Sequence, residues 1–369
     1  MAVVARIVVF GATGYTGELT ARALVDRGAK PLLAGRSAAR LEKLAAELGG
    51  PPTALADVSR PASVAALVEP GDVLVTTVGP FARWGEPAVE AAIAAPAGAY
   101  LDSTGEAAFI RAIFERHGSR AAAAGLPLLT AMGYDWVPGN LAGALALKEA
   151  GGRAVRLDLG YYFSGPSKGA MSGGTRATAA GATFSAAHGF RDGRIVSERM
   201  ARRVRAFEVR GRGRPAVSTG SSEHFSLPRL YPELSEVNTY LGWFGPLSRP
   251  LQGLSAGTAL LRALPGATRV VQGGLRRVVK GSTGGPDAAA RARGGSHVVA
   301  IAYGRADEQL AEVRLGGANG YDFTAAMLAW AATSALAGEI TGVGALGPVE
   351  AFGLEALERG CAAAGIARV

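Results

Sequence analysis

The residues that most limit what this chain can fold into lie in the first two dozen positions. A β-branched run, Ile7-Val8-Val9-Phe10, breaks at Gly11-Ala12-Thr13-Gly14-Tyr15-Thr16-Gly17, and apolar residues then return at helical spacing through Leu19, Ala23 and Leu24. That order predicts strand, tight turn, helix. A phosphate-binding turn needs this context. Gly11 can take the turn conformation, Gly14 lets a pyrophosphate approach the backbone, and Gly17 lets the helix sit close to the strand, while free N–H groups at the helix start face the phosphate charge. Thr13, Tyr15 and Thr16 complete the candidate cofactor-binding turn. The spacing is G-x-x-G-x-x-G, so an ordinary βα turn is the competing reading.

A chain of 369 residues exceeds one typical core, which predicts two domains or one domain with a large insertion. Hydrophobic content of 49% with 19% charged residues argues for a folded protein rather than disorder. The net charge of +9 comes mostly from Arg and follows from no basic helix or aromatic-spaced array, so nucleic acid is not expected as a partner. An acidic carrier protein, a membrane surface or the phosphate of NADP suits the charge as well. A single cysteine, Cys361, excludes an internal disulfide, and the four histidines lack zinc-type spacing, so no metal site is expected. A cytoplasmic setting is the expectation, with no signal peptide and with the apolar stretch 323–338 read as a buried helix.

Further along, Pro31-Leu32-Leu33-Ala34-Gly35 reads as a second strand ending in Arg36-Ser37, with Arg40 one turn on. An acidic residue about 20 positions past the glycines would take a ribose 2′-hydroxyl, whereas Arg36 suits a 2′-phosphate and so predicts NADP(H). A third strand closes on Asp57-Val58, where Asp57 is open to two readings, an adenine contact or a helix cap. The fourth strand, 72–77, runs into Val78-Gly79-Pro80-Phe81, a turn placed to lie along the nicotinamide half of the cofactor. Ala99-Tyr100-Leu101-Asp102 is a strand entering a polar loop with Ser103, Thr104, Gly105 and Glu106. Pro127-Leu128-Leu129-Thr130-Ala131-Met132 is the sixth, followed by Gly133-Tyr134-Asp135-Trp136-Val137-Pro138-Gly139-Asn140 and a helix from about Leu141. Asp102 and Glu106 are candidate substrate contacts, with capping as the alternative.

The glycine turn, Ala34-Gly35-Arg36-Ser37, Thr77-Val78-Gly79-Pro80-Phe81, Tyr100-Leu101-Asp102-Ser103-Thr104-Gly105-Glu106 and Gly133-Tyr134-Asp135-Trp136-Val137-Pro138 resemble, in order and spacing, the saccharopine dehydrogenase-like oxidoreductases, a group that includes trans-acting enoyl reductases. Met171-Ser172-Gly173-Gly174-Thr175 and the stretch beginning Gly320-Tyr321-Asp322-Phe323-Thr324 extend the likeness, which is weakest over 190–281. The resemblance implies an NADP-dependent reductase whose C-terminal helices return to pack on the nucleotide domain.

From Arg153 onward the βα alternation changes, and strand candidates at 156–163, 203–209 and 296–303 predict a mostly antiparallel sheet in a second domain. The expected fold is therefore α/β, a Rossmann-type NADP-binding domain over 1–132 and an α+β substrate or dimerisation domain over 133–320, with closing helices over 321–369. Segment 238–280, with Tyr240, Trp243 and Phe244, is open to several readings: helices packed on the sheet, a cap over an apolar ligand, a peripheral membrane contact or a homodimer interface. Segment 282–295 reads as a mobile loop. Tyr134, Asp135, Ser172 and Thr175 are the candidate catalytic residues, with Gly133, Asp102, Thr104, Glu106, Gly173, Gly174 and Arg176 about the substrate. The leading expectation is reduction of a C=C bond in a small-molecule or carrier-bound enoyl thioester. Saccharopine-type C=N reduction and a non-catalytic NADP(H) sensor are the alternatives.

Overall fold

The computed structural model describes residues 5–95, 98–165, 186–262 and 284–369. It divides into two compact units. The first takes in the residues up to Gly105, Phe109–Val137 and Ala318–Ala367; the second takes in Glu106–Ala108, Pro138–Gly317 and Arg368–Val369.

In the first unit, β1 (Ile7–Phe10), β2 (Leu32–Gly35), β3 (Thr53–Leu55), β4 (Val73–Thr76), β5 (Ala99–Asp102) and β6 (Pro127–Leu129) run in the order β6-β5-β4-β1-β2-β3 in a seven-stranded sheet, with the short strand Gly344–Ala345 beyond β6, every neighbouring pair parallel. All four residues of β1, β2, β4 and β5 are buried, as continuous apolar runs in a sheet covered on both faces must be. The exposed edge is β3, only three residues long. Strand order reverses between β1 and β4, which opens a crevice beyond their carboxyl ends. Asp72 ties the start of this sheet together: fully buried, it accepts from both the backbone N–H (2.9 Å) and the guanidinium (2.6 Å) of Arg6. Helix Gly320–Leu336, largely buried, packs on helix Tyr15–Asp26 and on β4 and β5.

The second unit holds β7 (Arg156–Ser164), β8 (Ala186–Arg191), β9 (Arg194–Arg199), β10 (Val204–Val209), β11 (Arg212–Thr219), β12 (Glu236–Leu241), β13 (Gly295–Tyr303) and β14 (Gln309–Gly317). The order runs β10-β11-β12-β7-β13-β14, with the β8–β9 hairpin joined to β12. All pairings are antiparallel except β12 with β7. Two hairpins turn through left-handed pairs, Asp192-Gly193 and Arg210-Gly211, the geometry whose twist matches the flanking strands. One face of the sheet buries Tyr162, Phe207, Tyr240, Val299 and Ile301. The other face receives helix Val137–Ala150, where Gly143 leaves no room for a Cβ beside Leu157 and Leu227.

Three local expectations change. The helix expected from Leu141 begins at Val137, because the Val137 N–H reaches the Gly133 carbonyl at 3.0 Å and Pro138 is tolerated in a first turn. Segment 238–280 opens inside the sheet: residues 238–241 are buried in β12, and a helix follows at Ser248–Arg262. Within 282–295, the described part contains helix Ala288–Ala292, capped by the Asp287 carboxylate on Ala290 N–H at 2.7 Å. No helix among the described residues is long and apolar enough to cross a membrane.

Candidate functional site

The glycine turn lies at the carboxyl end of β1, and two of its three glycines, Gly11 and Gly17, are required by space. Gly11 has φ +92°, and a Cβ on it would press on the Thr77 hydroxyl and the Val78 side chain. On Gly17 a Cβ would overlap the Gly11 carbonyl oxygen; on Gly14 it would lie 3.2 Å from the same atom. The turn is closed by Gly14 N–H to Gly11 O at 2.8 Å and anchored to β2 by Gly11 and Ala12 N–H on the Ala34 carbonyl. Gly14, exposed, is the N-cap of helix Tyr15–Asp26 and has no side chain to fill the space before the first-turn N–H groups. An anion is the natural complement of such an end. Thr16 lies in that first turn, its carbonyl accepting from the Thr20 hydroxyl, and Tyr15 packs edge-on against Tyr321 at 5.1 Å.

At the end of β2, Arg36 is exposed and Ser37 is the N-cap of helix Ala38–Glu47, accepting from Arg40 N–H. The Arg40 guanidinium bonds the Thr13 carbonyl, so it supports the glycine turn. Asp57 is not the cap of the helix that follows; Arg60 occupies that position. Its carboxylate accepts instead from the backbone N–H (2.9 Å) and hydroxyl (2.8 Å) of Ser59, which hold its pKa below the ordinary value, with Arg36 and Arg60 adding to the effect. Val58 packs partly buried against the core. Gly79 is exposed, Pro80 is the N-cap of helix Phe81–Trp84, and Phe81 is buried against Phe109.

Two acids, Asp102 fully buried and Asp135 partly buried, stand beyond the ends of β5 and β6. Asp102 accepts the N–H groups of Thr104 and Ala131, both at 2.9 Å, and burial outweighs these bonds and the nearby Thr130 and Tyr100 hydroxyls, raising its pKa to about 6. The bond to Asp102 helps hold Ala131 at φ +62°, an unfavourable conformation for a side chain with a Cβ. Asp135 is raised to about 7 by burial alone; its Oδ1 has no hydrogen-bond partner among the described residues, and Gly105 has no room for a Cβ beside Oδ2. Gly133 and Tyr134 are fastened to helix Gly320–Leu336: Tyr134 N–H donates to the Thr324 hydroxyl at 3.0 Å, Gly133 abuts the same side chain, and the Tyr134 ring meets Phe323 edge-on. Tyr134 itself is buried. Glu106 is partly exposed just before helix Ala107–Ala112. Ser172, Gly173, Gly174, Thr175 and Arg176 lie outside the described residues.

The first unit thus brings the glycine turn, Thr77, Asp102, Thr104 and Asp135 to the carboxyl ends of β1, β4, β5 and β6. Thr77, whose hydroxyl reaches the Gly11 carbonyl at 3.3 Å, and Thr324 escaped the reading of the sequence as site residues. So did a buried polar chain in the second unit, where Tyr161 donates to Glu223 at 2.6 Å, Asn140 donates to Ser222 at 3.0 Å and Ser226 donates to Asn140. His188 and His224 stack edge-on beside it, and burial drives the His224 pKa well down. The bonded partners are 62 to 86 positions apart, so no local spacing signals them.

The chain is 43% identical over 141 residues to a trans-acting enoyl reductase of Mycobacterium leprae, and 40% identical over the same length to one of Mycobacterium tuberculosis. These matches take in 37% of this chain and 34% of each relative, so only about a third of the relatives' length is matched. No protein-family profile matches. Among solved structures, apo saccharopine dehydrogenase (L-Glu forming) of Saccharomyces cerevisiae superposes over 96% of both chains with a TM-score of 0.58 at 14% identity, a likeness of fold. The fold is that of saccharopine dehydrogenase. Over the 141 matched residues the chain is similar to trans-acting enoyl reductases, and the two likenesses together are those of an oxidoreductase.

Proposed function

We propose that the chain is an NADPH-dependent oxidoreductase that reduces a C=C bond in an apolar acyl thioester, as a small molecule or on a carrier. The observation that carries this reading is the 43% identity to a protein named as an enoyl reductase. The nucleotide fits the residues present. Side chains are excluded from the turn at Gly11 and Gly17, the helix after Gly14 starts open, and exposed Arg36 with Ser37 follows β2 where a 2′-phosphate would need a cation. Gly11, Thr13, Gly14, Tyr15, Thr16 and Gly17 would hold the pyrophosphate, Arg36 and Ser37 the 2′-phosphate, and Gly79, Pro80 and Phe81 would border the nicotinamide half. When bound, NADPH supplies a hydride.

Hydride reaching the β-carbon of an enoyl thioester leaves negative charge on the thioester oxygen, and a proton must then reach the α-carbon. Stabilisation of that oxygen by fixed donors is the larger task. Tyr134, held by Thr324 and Phe323, is assigned to the developing oxyanion, and Asp135, with a pKa of about 7, to holding the proton. Asp102 keeps the Ala131 and Thr104 backbone in place.

The test supplies NADPH with enoyl thioesters and, separately, with 2-aminoadipate semialdehyde and glutamate, while NADPH absorbance is followed. Oxidation with the thioesters alone is expected. Oxidation only with the second pair assigns C=N reduction instead, and tight NADPH binding without turnover of any acceptor favours the sensor.

A further inference from the structure

Glu86 and Glu90 lie one turn apart on helix Glu86–Ala94 and therefore share a face. His117 ends the π-helical segment Ile113–His117, in a wider turn of the kind often found at functional positions. One ligand atom from each of these three side chains falls within 4.8 Å of the other two. The histidine is the unusual member. Its side chain is only 3% exposed, yet Nδ1 makes no hydrogen bond and points at the cluster, 3.4 Å from Glu90 Oε1. A buried ring nitrogen without a hydrogen bond calls for an explanation.

We propose that Glu86, Glu90 and His117 form a binding site for one divalent transition-metal ion of the zinc class. One imidazole nitrogen with two carboxylates is a donor set that suits zinc, cobalt or nickel, and the imidazole disfavours magnesium and calcium. Ligands about 2.1 Å from a tetrahedral ion lie about 3.4 Å from one another, so the site must contract. His117 is held by burial, whereas Glu86 and Glu90 have side chains 58% and 40% exposed and are free to close on it. Each glutamate is paired with a guanidinium, Arg116 on Glu86 at 2.9 Å and Arg120 on Glu90 at 2.6 Å. Pairs this exposed contribute little and yield to a divalent ion. The site is independent of the proposed reductase chemistry, since none of its residues belongs to the glycine turn or to the two acids.

The experiment uses the full chain, stripped by a chelator. Zn²⁺ is titrated calorimetrically, and Co²⁺ is added separately to read its visible absorption. One Zn²⁺ per chain is expected, with a tetrahedral cobalt spectrum. Affinity should fall roughly tenfold or more in His117→Ala and in Glu90→Gln, while Arg120→Gln, which frees Glu90, should tighten binding. Because His117 is buried and its removal is liable to disturb folding, the half-exposed Glu90→Gln decides the question, with circular dichroism confirming its fold. Unchanged affinity in a folded Glu90→Gln, absence of uptake at millimolar Zn²⁺, or loss of binding on changing His188 or His224 instead would each overturn the assignment.

Discussion

At Asp135 and Asp102, burial sets the charge. A carboxyl whose folded pKa is raised from 3.8 to about 7 binds more protons folded than unfolded across that interval, so its contribution to stability is present below pH 4 and is lost as pH rises through 7. Asp135→Asn is therefore expected to stabilise the protein at pH 8 by about 2 kcal/mol, a gain that shrinks toward pH 4, as measured by urea denaturation at both values. If Asp135 holds the transferred proton, the same variant loses the near-neutral limb of the pH–rate profile. Arg36 supplies the second residue-scale prediction. Arg36→Asp should weaken NADPH binding by about 1 kcal/mol or more, the scale of a charge-assisted hydrogen bond, and narrow its preference over NADH. Equal calorimetric affinity of the native protein for the two nucleotides would remove the basis for that assignment. Arg36 was legible in sequence because its position is counted from the glycines. The raised pKa of Asp135 was not, because it follows from neighbours such as Gly105 that only folding brings up to the carboxyl.

At the scale of elements, the tightest constraint is the closure of the glycine turn against its own helix. Gly17→Ala forces a methyl into the Gly11 carbonyl, so a loss of about 1 to 3 kcal/mol is expected, accompanied by weaker NADPH binding. Thermal denaturation and nucleotide titration check both. An unchanged melting temperature would mean that the helix can retreat from β1. In the second unit, Tyr161→Phe removes the 2.6 Å bond to Glu223, which is fully buried, and should cost about 1 to 3 kcal/mol in urea denaturation. The parallel strands were readable as unbroken apolar runs such as Ile7–Phe10. β12 was not, since its Asn238 and Thr239 are polar yet buried, Asn238 donating to Asp158 at 2.7 Å and Thr239 bonding Ser221 at 2.8 Å.

For the whole molecule, binding to the folded state alone must show as stability. At NADPH one hundred times its dissociation constant the unfolding free energy should rise by about 2.7 kcal/mol, read as a higher melting temperature, while NADH at the same concentration raises it less. No shift with either nucleotide would count against the reading of the glycine turn. The fold comparison extends along nearly the whole chain, and the enoyl reductase homology along about a third of each relative, so turnover with a thioester is the measurement that joins fold to chemistry.

By itself, the sequence determined the parallel α/β architecture of the first unit, the glycine turn and the antiparallel character of the second sheet. Each is written in short-range patterns: apolar runs, glycines at fixed offsets and alternation along a strand. Tertiary structure alone decided which polar side chains stand out of water and with whom. The fastening of Tyr134 to Thr324 spans 190 positions, and Asn140 reaches Ser222 across 82. Desolvation and hydrogen bonding act through space, so the raised pKa values of the two acids of the candidate site, the buried Tyr161–Glu223 pair and the convergence of His117 on Glu86 and Glu90 exist only once the chain has folded.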